Sequence, residues 1–89
     1  MIQYAGGNGS TKEKAVIIKG ANSELEGVDA AFNYVERKFG YFELESTTLI
    51  DEGDKKFDQM NIISFSGRKE KVWFDVTGYF GKDHFPDKL

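Results

Sequence analysis

The sequence predicts an α+β domain of order β-α-β-β-β, with one amphipathic helix packed on a mainly antiparallel four-stranded sheet. Three observations predict it. Val28, Ala31, Phe32, Val35 and Phe39 recur at helical spacing between Gly27 and Gly40. Three runs rich in β-branched and aromatic residues follow, at 41–50, 57–66 and 71–79. Only short turn-forming sequences separate those runs, which calls for an antiparallel meander.

Residues 1–12 form an N-terminal segment and loop, since Ala5-Gly6-Gly7-Asn8-Gly9-Ser10-Thr11-Lys12 carries too much glycine for a regular element. Ala15-Val16-Ile17-Ile18 is a short apolar run suited to a strand covered on both faces. Ser23 with Glu26 three residues on has the pattern of a capping box, and a rival helix start lies just after Gly27. Gly40 suits the helix C-terminus, with Arg37 and Lys38 in the last turn.

In the first strand Phe42, Leu44, Thr48 and Ile50 share one parity, opposite Tyr41, Glu43, Glu45 and Thr47. In the last, Val72, Phe74 and Val76 alternate with Trp73, Asp75 and Thr77. One sheet face therefore packs on the helix and the other faces water. Residues 82–89 read as a flexible tail.

With 89 residues, the chain is sized for a single domain spanning 1–89. Eight Phe, four Tyr and one Trp must supply most of its core, because no cysteine is present to form disulfides. That composition fits a reducing, cytoplasmic setting. The start Met1-Ile2-Gln3-Tyr4 has neither a basic opening nor an apolar run, and no stretch approaches the length of a membrane span. Twelve basic against fifteen acidic residues give a net charge of −3, which opposes binding to phosphate backbones. Neither nucleic acid nor membrane is an expected partner.

The loop Tyr4-x-Gly6-Gly7-Asn8-Gly9-Ser10-x-Lys12-Glu13-x-Ala15-Val16, the helix ending in Phe39-Gly40 and the closing Phe74-Asp75-Val76-Thr77-Gly78-Tyr79-Phe80-Gly81-Lys82 together resemble a family of small bacterial proteins of uncharacterised function. The resemblance spans nearly the whole chain. It implies one compact bacterial domain and transfers no catalytic residue.

Candidate sites are few. The loop at 6–12 has its lysine after Ser-Thr and leads into a strand, whereas a phosphate loop must open a helix. Gly7, Asn8 and Ser10 are nonetheless the residues a small ligand would meet there. Asp51, Glu52 and Asp54 crowd one turn but lack the distant bidentate Glu of a calcium loop, and Lys55 and Lys56 follow at once. No metal or other cofactor is expected. His84 is the only histidine, so a His-based triad or multi-His metal site within one chain is ruled out. No set of groups converges as an active site requires, and the chain reads as a non-enzyme.

The aromatic residues point to a protein surface. If Val72, Phe74 and Val76 fill the core, Trp73 shows on the other face, and Tyr41 stands in the same relation to Phe42 and Leu44. Tyr41, Glu43, Trp73 and Asp75 are thus the expected protein-binding residues, covered by a partner, by a second copy in a homodimer, or by Ile2 and Tyr4 of the chain itself. The leading expectation is a protein-interaction module for a basic partner, of inhibitor or immunity type. The alternative is a small-molecule or ion-binding protein using the Gly-rich loop and the acidic turn.

Overall fold

The computed structural model describes residues 1–81. The tail expected at 82–89, His84 included, lies outside the described residues. One helix, α1 (Glu24–Phe39), packs on a five-stranded sheet built from β1 (Gln3–Gly6), β2 (Val16–Lys19), β3 (Phe42–Asp51), β4 (Lys56–Ser64) and β5 (Lys69–Asp75). The spatial order is β1-β2-β5-β4-β3. All neighbours run antiparallel except β2 and β5, which pair in parallel at Val16↔Phe74 and Ile17↔Asp75. No described helix is long and apolar enough to cross a membrane.

The α+β class is as expected, with one strand more. Gln3 to Gly6 pairs antiparallel with β2 although it ends in the loop expected from Ala5 onward. Ile2 and Tyr4 pack against the core, and the Tyr4 hydroxyl donates to the Ala30 carbonyl at 2.8 Å. These contacts supply the burial that composition alone could not reveal.

The helix begins at the first of its two candidate starts. Ser23 Oγ accepts from the Glu26 N–H at 3.2 Å, satisfying a free amide of the first turn, and Glu26 reaches back to the N–H of Asn22, just before the cap, at 2.9 Å. Gly40 ends it at φ +74°, donating to the Glu36 carbonyl at 2.8 Å. The buried face is Gly27, Ala30, Ala31 and Val35, rotated from the expected one. Val28 is 41% exposed, while Phe32 and Phe39 are half-buried on the flank. Small residues let the helix lie close to the strands, so the large rings move to its sides. Phe32 stacks on Phe42 there, with centroids 5.9 Å apart.

The core itself comes from Val16, Ile18, Met60, Ile62, Val72 and Phe74 on the helix side of the sheet. In β5 the predicted alternation holds through Val72 and Phe74. In β3 it fails halfway. Leu44 pairs with Ile62 but Ser46 pairs with Asn61, which leaves Glu45 as an extra residue in a β-bulge. After it, Thr47 and Leu49 lie opposite Met60 and Asp58 on the helix side, while Thr48 and Ile50 pass to the other face. The expected grouping of Thr48 and Ile50 with Phe42 and Leu44 is therefore corrected.

Candidate functional site

The sheet does not gather the four expected protein-binding residues. Glu43 lies level with Ile63 and Lys69, whereas Trp73 lies level with Gln59 and Thr48. Four residues of β5 separate the two levels, about 13 Å at strand rise. Tyr41 precedes β3 at 66% exposure, beside Glu43 rather than beside Trp73.

Asp75 is the clearest correction. It points to the face away from the helix, as its parity requires, yet it is only 6% exposed. The single 3-10 turn Lys12–Lys14 folds over that part of the sheet and brings the Lys12 ammonium 5.9 Å from the Phe57 ring centroid. Beneath it the Asp75 carboxylate accepts from the Thr77 N–H at 3.0 Å and faces Lys55 Nζ at 3.4 Å. Both oxygens are thereby engaged. Trp73 is half-buried, and its backbone N–H donates to the Gly9 carbonyl at 2.8 Å, so the loop prolongs the sheet along β5 where β2 stops.

That same loop turns its amides inward. Gly7 N–H donates to Ala15 O at 3.1 Å, Gly9 N–H to Lys14 O at 2.7 Å and Ser10 N–H to Asn8 Oδ1 at 3.0 Å. The Asn8 carbonyl accepts from Lys38 Nζ at 2.9 Å. Gly9 is a structural requirement, because a Cβ there would meet Val72 Cγ1 at 2.9 Å, in addition to its φ of +83°. Two acids of the turn at 51–54 are likewise matched within the chain. Asp51 accepts from the Gly53 N–H at 2.9 Å and pairs with Lys56 at 3.1 Å, contacts that hold its carboxyl below the usual value. Glu52 pairs with Lys12. No group of three or more His, Cys, Asp or Glu is placed to hold a metal among the described residues.

A cavity of about 710 Å³ is an open groove between β1 and α1. Lys19 and Arg37 on its rim face Glu26 and Asp29, so it offers no net charge to a ligand.

The opposite flank is different. Among the described residues β3 ends the sheet, and one edge of its ten residues has no strand beside it. Leu44 and Leu49 on its helix side are 43% and 47% exposed. Exposed Glu43, Glu45 and Asp51 run along the same strand.

At the lower end of this flank a cavity of about 150 Å³ opens between α1, β3, β4 and the turn after β5. Val28, Leu49, Val76 and Phe80 form apolar walls, and Glu24, Asp58 and Tyr79 bring the polar groups. Asp58 reaches this helix-side position because it stands between Leu49 of β3 and Phe74 of β5. Burial, and then the negative charge of Glu24, raise its carboxyl above the usual value. The Tyr79 ring is buried and its hydroxyl finds no hydrogen-bond partner among the described residues. Desolvation and the facing carboxylates of Asp58 and Glu24 push that phenol up as well. Sequence reasoning missed this group: Asp58 lies in a run whose parity was not assigned, and Tyr79 was counted as the end of a strand. Compared with protein-family models, curated proteins and solved structures, the chain matches none of them, so its function is read from its own residues.

Proposed function

We propose that the chain is a non-enzymatic protein-interaction module of the cytoplasm, which offers the free edge of β3 to a basic, extended segment of a partner, in the manner of an inhibitor or immunity-type protein. The observation that supports this is β3 itself, ten residues long, unpaired on one side among the described residues and flanked by exposed leucines. Such an edge is a template for another strand, and proteins that avoid pairing often place Lys or Pro on it. Here the exposed charges are acids.

Those acids bear on the choice of partner. In a two-fold antiparallel pairing of two β3 strands, the exposed acids Glu43, Glu45 and Asp51 of both copies would crowd one seam, and like charges drawn together across a strand pair are destabilising. A basic strand relieves that repulsion and gains complementarity. Tyr41 and Glu43 keep their place on the proposed surface beside the β3 edge, whereas Trp73 and Asp75 stand on β5, two strands in from that edge. The inward amides of the loop and the internally paired acidic turn give the ligand-binding alternative no comparable support.

Selection from a displayed library of short random peptides tests the reading. Enrichment of alternating sequences rich in Lys or Arg, abolished by E43K together with E45K, is the expected result. Enrichment that survives the charge reversal, or none above a bait-free control, would overturn it.

A further inference from the structure

The cavity between the start of α1 and the β3–β4 hairpin has the two-part chemistry of a lysine side chain. Its walls, Val28, Leu49 and Phe80 among them, suit a run of methylenes. Its polar groups, Asp58, Glu24 and the Tyr79 hydroxyl, are three acceptors with no cation among the described residues that line it, and Glu24 already accepts from the Gly81 N–H at 2.8 Å through one oxygen only. A buried hydroxyl without a partner is rare in a folded protein and asks for an explanation. The acids alone would not make a site. The orphaned hydroxyl, in a residue 3% exposed and facing both carboxylates, is the independent observation that points to a missing group.

We propose that this pocket receives the ammonium of a lysine carried by the partner segment that pairs with β3. The proposal rests on the β3 reading above and specifies one residue of the partner. An ammonium carries three N–H donors and no acceptor, which matches the three acceptors here. A guanidinium, with five donors in a rigid plane, asks for more acceptors than the pocket holds. A divalent cation requires six or more oxygen ligands, beyond two carboxylates and a phenol. Among the described residues, Lys56 lies 5.5 Å from the Phe80 ring centroid but is held by Asp51 and by the Gly53 carbonyl.

The reach is sufficient. A residue opposite Leu49 on an added strand lies two strand spacings from Asp58, about 10 Å. A lysine laid over Leu49 spans that distance when the aspartate extends toward it.

The test uses the eight-residue peptide (Val-Lys)4 and its fully Nε-acetylated form, with amide and aromatic NMR signals as the readout. The unmodified peptide is expected to shift the signals of β3 together with those of Tyr79 and Asp58, with at least tenfold higher affinity than the acetylated form. Asp58→Asn should remove most of that difference. Tyr79→Phe should weaken binding without lowering stability, which separates recognition from a structural role. Shifts along β3 with Tyr79 unmoved, or equal binding by Asp58→Asn, would overturn the pocket and leave the edge reading standing. Shifts at Tyr79 with β3 unmoved would make the pocket a site for a free amine, sinking the partner-lysine proposal and leaving the edge reading without support. No shift at either place would overturn both.

Discussion

Gly27 and Tyr79 occupy what is in effect one position: a Cβ on Gly27 would lie 2.2 Å from Tyr79 Cζ, so the ring rests directly on the helix backbone. That contact explains a glycine in the first turns of a helix. It also anchors the turn after β5 beneath α1.

Gly27→Ala would normally favour a helix by up to about 1 kcal/mol. Here the methyl group must displace a buried ring, and overpacking of this kind costs about 1–3 kcal/mol. Net destabilisation is the expected result in urea denaturation. A variant more stable than the parent would show that Tyr79 does not pack on the helix.

Phe74 is fully buried, whereas Phe32 is half-buried against Phe42. Phe74→Ala should therefore destabilise by about 3–5 kcal/mol. Phe32→Ala should remove less, about 2 kcal/mol, in proportion to the apolar area it covers. Equal losses for the two variants would mean that the helix presents Phe32 rather than Ala31 and Val35 to the core.

Asp58 predicts an unusual dependence on pH. Its folded carboxyl value lies above the ordinary 3.8, through burial first and Glu24 second. The folded chain thus holds that proton more tightly than the unfolded chain, so Asp58 contributes stability in full below the unfolded value and loses it as pH rises through the folded one. Asp51, whose value is lowered, acts in the opposite sense and loses its contribution as pH falls. Asp58→Asn should accordingly be more stable than the parent at pH 7, with the gap closing toward pH 4. Denaturation at the two pH values checks this, and a gap that widens on acidification would contradict it.

Glu45 is the extra residue of the bulge, and the pairings on either side of it are those of a regular ladder. Replacement by Ala removes only an exposed ion pair with Lys69 and should change stability by less than about 1 kcal/mol. Deleting Glu45 removes the bulge: Leu44 and Ser46 become neighbours, alternate in face and keep Ile62 and Asn61 as partners, so Leu49 stays on the helix side. A cooperative unfolding transition retained on deletion, with Glu45→Ala nearly silent, is the expected pair of results, and loss of the transition would show that the bulge itself holds the strand in place.

These residues also mark how far the sequence could be read. Ser23, Gly40, Gly53 and Gly67 announce helix ends and turns through local chemistry, and each acts where its type suggests. The β5 alternation is legible because Val72 and Phe74 sit in an uninterrupted strand. The bulge at Glu45 leaves no such mark, since Glu-Ser-Thr-Thr is polar throughout and fits either face. Asp75 was misjudged for a different reason: a strand's own pattern shows which way a side chain points, but not that Lys12 and its neighbours fold back over it. The Asp58 and Tyr79 cluster depends on three segments meeting, which no local window contains.

The parallel pairing of Val16 with Phe74 joins two ends of the described chain, while β3, β4 and β5 need only their immediate neighbours in sequence. Long-range closure carries the larger entropy loss and delays folding. The meander can therefore assemble first, with the β1–β2 hairpin joining it late. Val16→Ala should then act chiefly by hastening unfolding, with little effect on the rate of folding, because the contacts it removes form after the barrier has been crossed.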